Sequence, residues 1–113
     1  MLQKENRLVD DYDFRRVKRL GKSYHCPLFK LSIAERKLAG PSRFGFVISK
    51  KIDKRAVVRN RIKRLLREVV RKNLEKIAVG FDVVFVVRPR IIGKNYEEIN
   101  LEFNKVLPKV SFD

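Results

Sequence analysis

Eleven lysines and arginines stand between Lys50 and Lys72, against two acids, Asp53 and Glu68. In the same stretch Ile62, Leu65, Leu66, Val69 and Val70, then Leu74 and Ile77, recur at the spacing of one helical face. Any fold of this chain must bury one side of that helix and leave the other in water. The spacing predicts a helix from about Asn60 to Ile77. At about 100° per residue, Arg61, Arg64, Arg67, Glu68 and Arg71 leave from the opposite side, with Lys63 at the margin. A solvated charged face is the ordinary fate of such residues, but two features argue against it. Glu68 is the only acid from 59 to 74, so ion pairs along the helix cannot account for the charge. The charge also begins at the expected helix start, where the dipole disfavours cations. Arg59, Arg61, Lys63 and Arg64 are favourable there only beside an anion, held by free backbone N–H groups and guanidinium forks. Lys50, Lys51, Lys54 and Arg55 on the preceding loop extend the basic surface. The pattern points to a polyanion, nucleic acid first.

The rest of the composition narrows the class. A chain of 113 residues suits one compact domain, residues 1–113, with 1–8 as an extended or flexible arm. The net charge of +15 disfavours compaction unless a partner neutralises it. One cysteine excludes an internal disulfide and fits a reducing compartment. No apolar run approaches the ~20 residues that span a bilayer, and the N-terminus lacks a signal peptide's apolar core. A cytoplasmic protein with no membrane partner is expected.

Local signals supply the other elements. Asp10, Asp11 and Asp13 precede Phe14; Arg15, Arg16, Lys18 and Arg19 follow, then Gly21, the charge order of a helix over about 10–20. Residues 24–34 alternate around Phe29, Leu31 and Ile33 as one half-buried strand, with Pro27 marking an edge or a bulge. Gly40-Pro41 marks a turn. Residues 43–49 form a second strand with Phe44, Phe46 and Ile48 on one face. Gly45 leaves a bare patch on the other, where a backbone or a ligand can approach. The Val-rich run Phe81–Val87 reads as a strand buried on both faces. Asn95 with Glu98 three residues on starts a last helix, buried through Ile99, Phe103, Val106 and Leu107. The order helix-strand-strand-helix-strand-helix implies an α+β fold, a small two-layer α/β sandwich. The general rule for its strand-helix-strand crossover over 43–88 is right-handed.

Little here resembles a catalytic centre made of protein groups. His25 and Cys26 are the only residues of their types and point to opposite faces of a strand, so no zinc set exists. There is no Ser-His-Asp set, no phosphate-cradling glycine loop and no paired carboxylates, and acids are sparse where bases are dense. No catalytic residue is expected in the protein, and no metal ligand. Most aromatics belong to a core. Phe14, flanked by Arg15 and Arg16, is the best candidate for an exposed platform under an unpaired base.

The string Val57-Val58-Arg59-Asn60-Arg61-Ile62-Lys63-Arg64-Leu65-Leu66-Arg67-Glu68 resembles the signature of the protein subunit of bacterial ribonuclease P. Arg7-Leu8, Asp13-Phe14, Gly21-Lys22, the run Phe44 to Lys51, and Phe81-Asp82-Val83-Val84 before Arg88 resemble that family's landmarks in order, over about residues 6–107. The resemblance implies a catalytic RNA partner carrying the reactive magnesium ions, and a protein that binds this RNA and the 5′ leader of precursor tRNA. No obligatory protein partner is evident. It implies a left-handed crossover, against the general rule. Arg59, Asn60, Arg61, Lys63, Arg64, Arg67 and Arg71, with Lys50 and Lys51, are then expected at RNA. Phe14, Arg15, Lys18 and Phe29 are expected in a leader cleft between the first helix and the sheet. The chain departs from the pattern in having Lys18 and Ser32 at positions often aromatic, which shifts the leader contact toward phosphate charge. The loop Lys51–Ala56 is one residue longer than usual. A structural ribosomal-type RNA-binding protein is the alternative. A DNA-binding helix-turn-helix is disfavoured, because no short helix precedes residues 60–72.

Overall fold

The computed structural model describes residues 2–112. Helix α1 spans Asp11–Leu20, strands β1, β2 and β3 span Lys22–His25, Phe29–Glu35 and Arg43–Val47, and helix α2 spans Ala56–Lys72. Strand β4, Phe81–Val87, and helix α3, Tyr96–Val106, complete the fold. The four strands form one sheet in the order β1-β2-β4-β3. β1 pairs antiparallel with β2, β2 antiparallel with β4, and β3 parallel with β4, with α2 as the connection. The α+β class is as expected.

Three details differ from the sequence expectation. The single strand over 24–34 is a hairpin: Pro27 cannot donate to a ladder, and the chain turns there, with the Cys26 N–H donating to Phe29 O at 3.0 Å. The basic helix begins at Ala56, four residues early, and gives way after Lys72 to a single 3-10 turn at Leu74–Lys76. Its early start is an Asp53 effect: the carboxylate accepts from the Arg55 N–H at 2.8 Å, an Asx turn that launches the helix ahead of the periodic apolar stripe. The layers also number three, because helices cover both sheet faces. Ile62, Leu66, Val69 and Val70 of α2 and Ile99, Phe103 and Val106 of α3 pack on one face. Val17 of α1, with Phe14, packs on the other against Val84 and Val86.

Strand alternation decides what each layer receives. Phe29, Leu31 and Ile33 of β2 and Val83, Phe85 and Val87 of β4 face α2 and α3. Phe85 lies at the centre, with ring centroids of Phe29 and Phe46 at 5.2 Å and of Phe103 at 5.7 Å. Ala34, Val84 and Val86 take the α1 side. The start of α3 follows its sequence: Asn95 and Glu98 form the expected capping box. The N-terminal residues run beside β3, on the edge away from β4. The Leu8 N–H donates to Phe44 O at 2.9 Å, Arg7 bridges Phe44, and Leu2 and Leu8 are buried. Met1, the first residue of the expected arm, lies outside the described residues.

One polar group breaks the apolar pattern of β4. Asp82 is wholly buried and sits on the α1 side, opposite Arg43 in register. Arg16 of α1 donates Nη2 to Asp82 Oδ2, and Arg43 donates Nε and Nη2 to its two oxygens at 2.8 Å each. Asp13 stands 3.5 Å from Arg43 and 3.8 Å from Arg16. A charge this deep is tolerated because both carboxylate oxygens accept from guanidinium groups, three N–H donors in all. The network ties α1 to two adjacent strands.

Candidate nucleic-acid interface

The site is assembled from three pieces of chain that are distant in sequence. α1 offers Phe14, half-buried, from the face that also carries Val17 into the α1-side core. β3 offers Gly45 directly beneath it, where a Cβ would fall 2.3 Å from Phe14 Cζ. α2 offers Lys63 and Arg67 from the margin of its basic face. A groove of about 230 Å³ joins these residues to Arg7 and Phe46. No carboxylate lines it.

Its electrostatics favour an anion. Arg67 is half-buried, and its Nε is shielded from water without a hydrogen-bond partner among the described residues. Desolvation, and then the nearby Arg7 cation, lower the Arg67 pKa below the usual guanidinium range. Arg7 is held in place by its own backbone, donating Nε and Nη2 to Leu2 O at 3.2 and 2.9 Å. Two guanidinium groups gathered without an acid are a ready site for phosphate oxygens.

The remaining basic residues divide by what already holds them. Arg64, Lys63 and Arg67 make no ion pair among the described residues, and Arg61 reaches only Lys94 O at 3.5 Å. Arg71 pairs with Glu68, the one acid of that face, and each moves the other's pKa toward its charged form through the shared hydrogen bond. Arg59 folds back to donate Nη1 to the carbonyls of Asp53 and Lys54 at 2.9 and 2.8 Å. Asn60, Lys50 and Lys51 are exposed. The earlier helix start revises the dipole argument. Only Arg59 lies in the first turn, so Arg61, Lys63 and Arg64 pay little dipole cost. Their case for an anion rests on charge density without acids.

Phe29 is not in this groove. It is fully buried between sheet and helices on the α2–α3 side, because β2 alternation sends it to the face opposite α1. Ser32 does lie toward α1 but is 2 % exposed, out of reach of a ligand. Arg15 points to solvent and pairs with Asp11 at 2.7 Å, and Lys18 is exposed and does not line the groove.

The family described as Ribonuclease P matches residues 2–111 of this chain. The chain belongs to the ribonuclease P protein family. The ribonuclease P protein component of Microcystis aeruginosa is 42 % identical over 109 residues, covering 94 % of this chain and 91 % of that one. That of Clostridium botulinum is 39 % identical over 107 residues, covering 94 % and 95 %. Among solved structures, the Thermotoga maritima RNase P protein superposes with a TM-score of 0.82 at 27 % identity, covering 93 % of this chain and 97 % of that one. The Staphylococcus aureus RNase P protein gives 0.83 at 27 %, covering 94 % and 95 %. The ribosomal-type alternative falls with these matches. A ribonuclease P protein works in tRNA processing as one subunit of a ribonucleoprotein. No helix of the described residues is long and apolar enough to cross a membrane.

Sequence reasoning missed Arg7 as part of the site. Arg7-Leu8 stands out only as a landmark, and nothing local says that the N-terminal segment lies along β3. Gly45 was legible as a bare patch, but its occupant was not, because Phe14 is 31 positions away.

Proposed function

We propose that the protein binds the catalytic RNA of ribonuclease P through the exposed face of α2, and the 5′ leader of precursor tRNA in the groove at Phe14. It thereby supports endonucleolytic 5′ maturation of tRNA. The observation that carries the reading is the acid-free groove in which one aromatic ring meets Arg7, Lys63 and Arg67. A ring beside cations matches a nucleotide, whose base stacks while its phosphate pairs. Arg61 and Arg64, exposed and unpaired by acids among the described residues, lie on the same helix as the groove residues Lys63 and Arg67 and supply the cations this reading assigns to the RNA subunit.

The family's chemistry implies magnesium. Among the described residues no group of three or more His, Cys, Asp or Glu side chains is placed to hold a metal ion, and Asp13 and Asp82 face arginines. The residues present do not fit a protein-held ion, so the reading leaves magnesium with the RNA subunit.

Reconstitution with the cognate RNA tests the reading. The protein should lower the magnesium needed for precursor cleavage. Phe14→Ala should weaken precursor binding by roughly 1–3 kcal/mol and leave mature tRNA binding intact. A magnesium requirement unaffected by the protein would refute the subunit role. Equal loss for both tRNAs would assign Phe14 to the core alone.

A further inference from the structure

We propose that Gly45 is a positioning residue for the leader contact: its missing side chain is the seat of the Phe14 ring and sets the pose in which that ring meets a base. This inference rests on the leader reading above. A Cβ at Gly45 would lie 2.3 Å from Phe14 Cζ, 2.5 Å from Cε1 and 3.2 Å from Cε2. Carbon atoms in good contact stay roughly 3.5–4.0 Å apart, so even a methyl group displaces the ring. Torsional freedom does not explain this glycine. The positive-φ glycines are Gly40, Gly80 and Gly93, and Gly45 is not among them. Space explains it.

The pose follows from which atoms are closest. All three belong to the far end of the ring, so Phe14 stands tip-down on the strand. A ring in that pose keeps its faces turned sideways along the sheet surface, as stacking requires. The ring cannot evade a filled seat by letting α1 rise. Arg16 and Asp13, on the same helix, are tied to Asp82 and Arg43, and Arg43 is two residues from Gly45 on the same strand face. Val17 packs against Val84, the register partner of Gly45.

The test uses the reconstituted holoenzyme and reads the ratio of affinities for leader-bearing precursor and mature tRNA. Gly45→Ala should lower that ratio roughly tenfold, the scale of one lost stack. In a Phe14→Ala background it should lower it no further. Phe14→Tyr keeps a ring able to stack but adds a hydroxyl at the seated tip, so it should show the same loss. Should Gly45→Ala fail to fold, Phe14→Tyr carries the test. An unchanged ratio in Gly45→Ala or in Phe14→Tyr overturns the inference, as does an additive loss in the double variant. If Phe14→Ala lowers the ratio while those two do not, the inference falls and the leader reading stands. If Phe14→Ala leaves the ratio unchanged, both fall.

Discussion

Asp82→Ala is the substitution whose cost the structure specifies most closely. The carboxylate is fully buried and is shared by Arg16, with a side chain 7 % exposed, and Arg43, at 24 %. Breaking a buried pair by removing one partner costs about 3–5 kcal/mol, since the other charge is stranded. Two details pull the value to the low end. Arg43 is open enough to rehydrate, and its share resembles that of a surface pair, about 0–1 kcal/mol. Asp13 remains 3.8 Å from Arg16 and partly neutralises it. A loss of about 3 kcal/mol is expected, from a total of about 5–15 kcal/mol for an ordinary domain. Urea unfolding followed by circular dichroism measures it. The loss should persist in high salt, because the pair is shielded from ions. Asp11→Ala is the control: its partner Arg15 is 80 % exposed, and the change should stay within about 0.5 kcal/mol. A loss under about 1 kcal/mol for Asp82→Ala would show that the network is dispensable and that α1 is held by apolar packing alone.

Arg64→Ala should weaken binding to the RNA subunit and reduce the slope of log affinity against log salt by roughly 0.7–0.9 if it meets one phosphate; an unchanged slope would remove it from the interface. Phe85→Ala, at the centre of the aromatic cluster, should destabilise by about 3–5 kcal/mol in the same urea assay. Asp53 titrates at about 2, lowered chiefly by hydrogen bonds from Arg55. Because its folded pKa lies below the unfolded value near 3.8, its contribution is present above that value and is lost as pH falls toward 2. Carboxyl NMR should show this midpoint, and Arg55→Ala should raise it. Asn95→Ala removes the capping box and should cost about 1 kcal/mol, seen as a lower urea midpoint.

Several parts of this protein were settled by neighbours along the chain. The basic face of α2 is a matter of residues three and four apart, so Arg61, Arg64, Lys63 and Arg67 were readable beforehand, as were the Asn95–Glu98 cap and the Val-rich β4. The two-faced nature of β3, with Phe44 and Phe46 on one side and Gly45 on the other, follows from alternation. The boundary of α2 was not readable from hydrophobic period, because a carboxylate outside the stripe starts the helix.

What sequence alone could not decide is which face of the sheet meets which helix. Alternation places Phe29 with Leu31 and Ile33 but does not say whether α1 or the α2–α3 pair covers them, and the leader-cleft assignment of Phe29 failed on that point. The meeting of Phe14 with Gly45, of Arg7 with Arg67, and of Asp82 with two arginines depends on strand register and on where the N-terminal segment lies. These are contacts between residues tens of positions apart, and only the closed sheet brings them within reach. Local periodicity determined that the chain carries a rigid basic helix; tertiary packing decided that its margin shares a groove with an aromatic ring seated on a glycine.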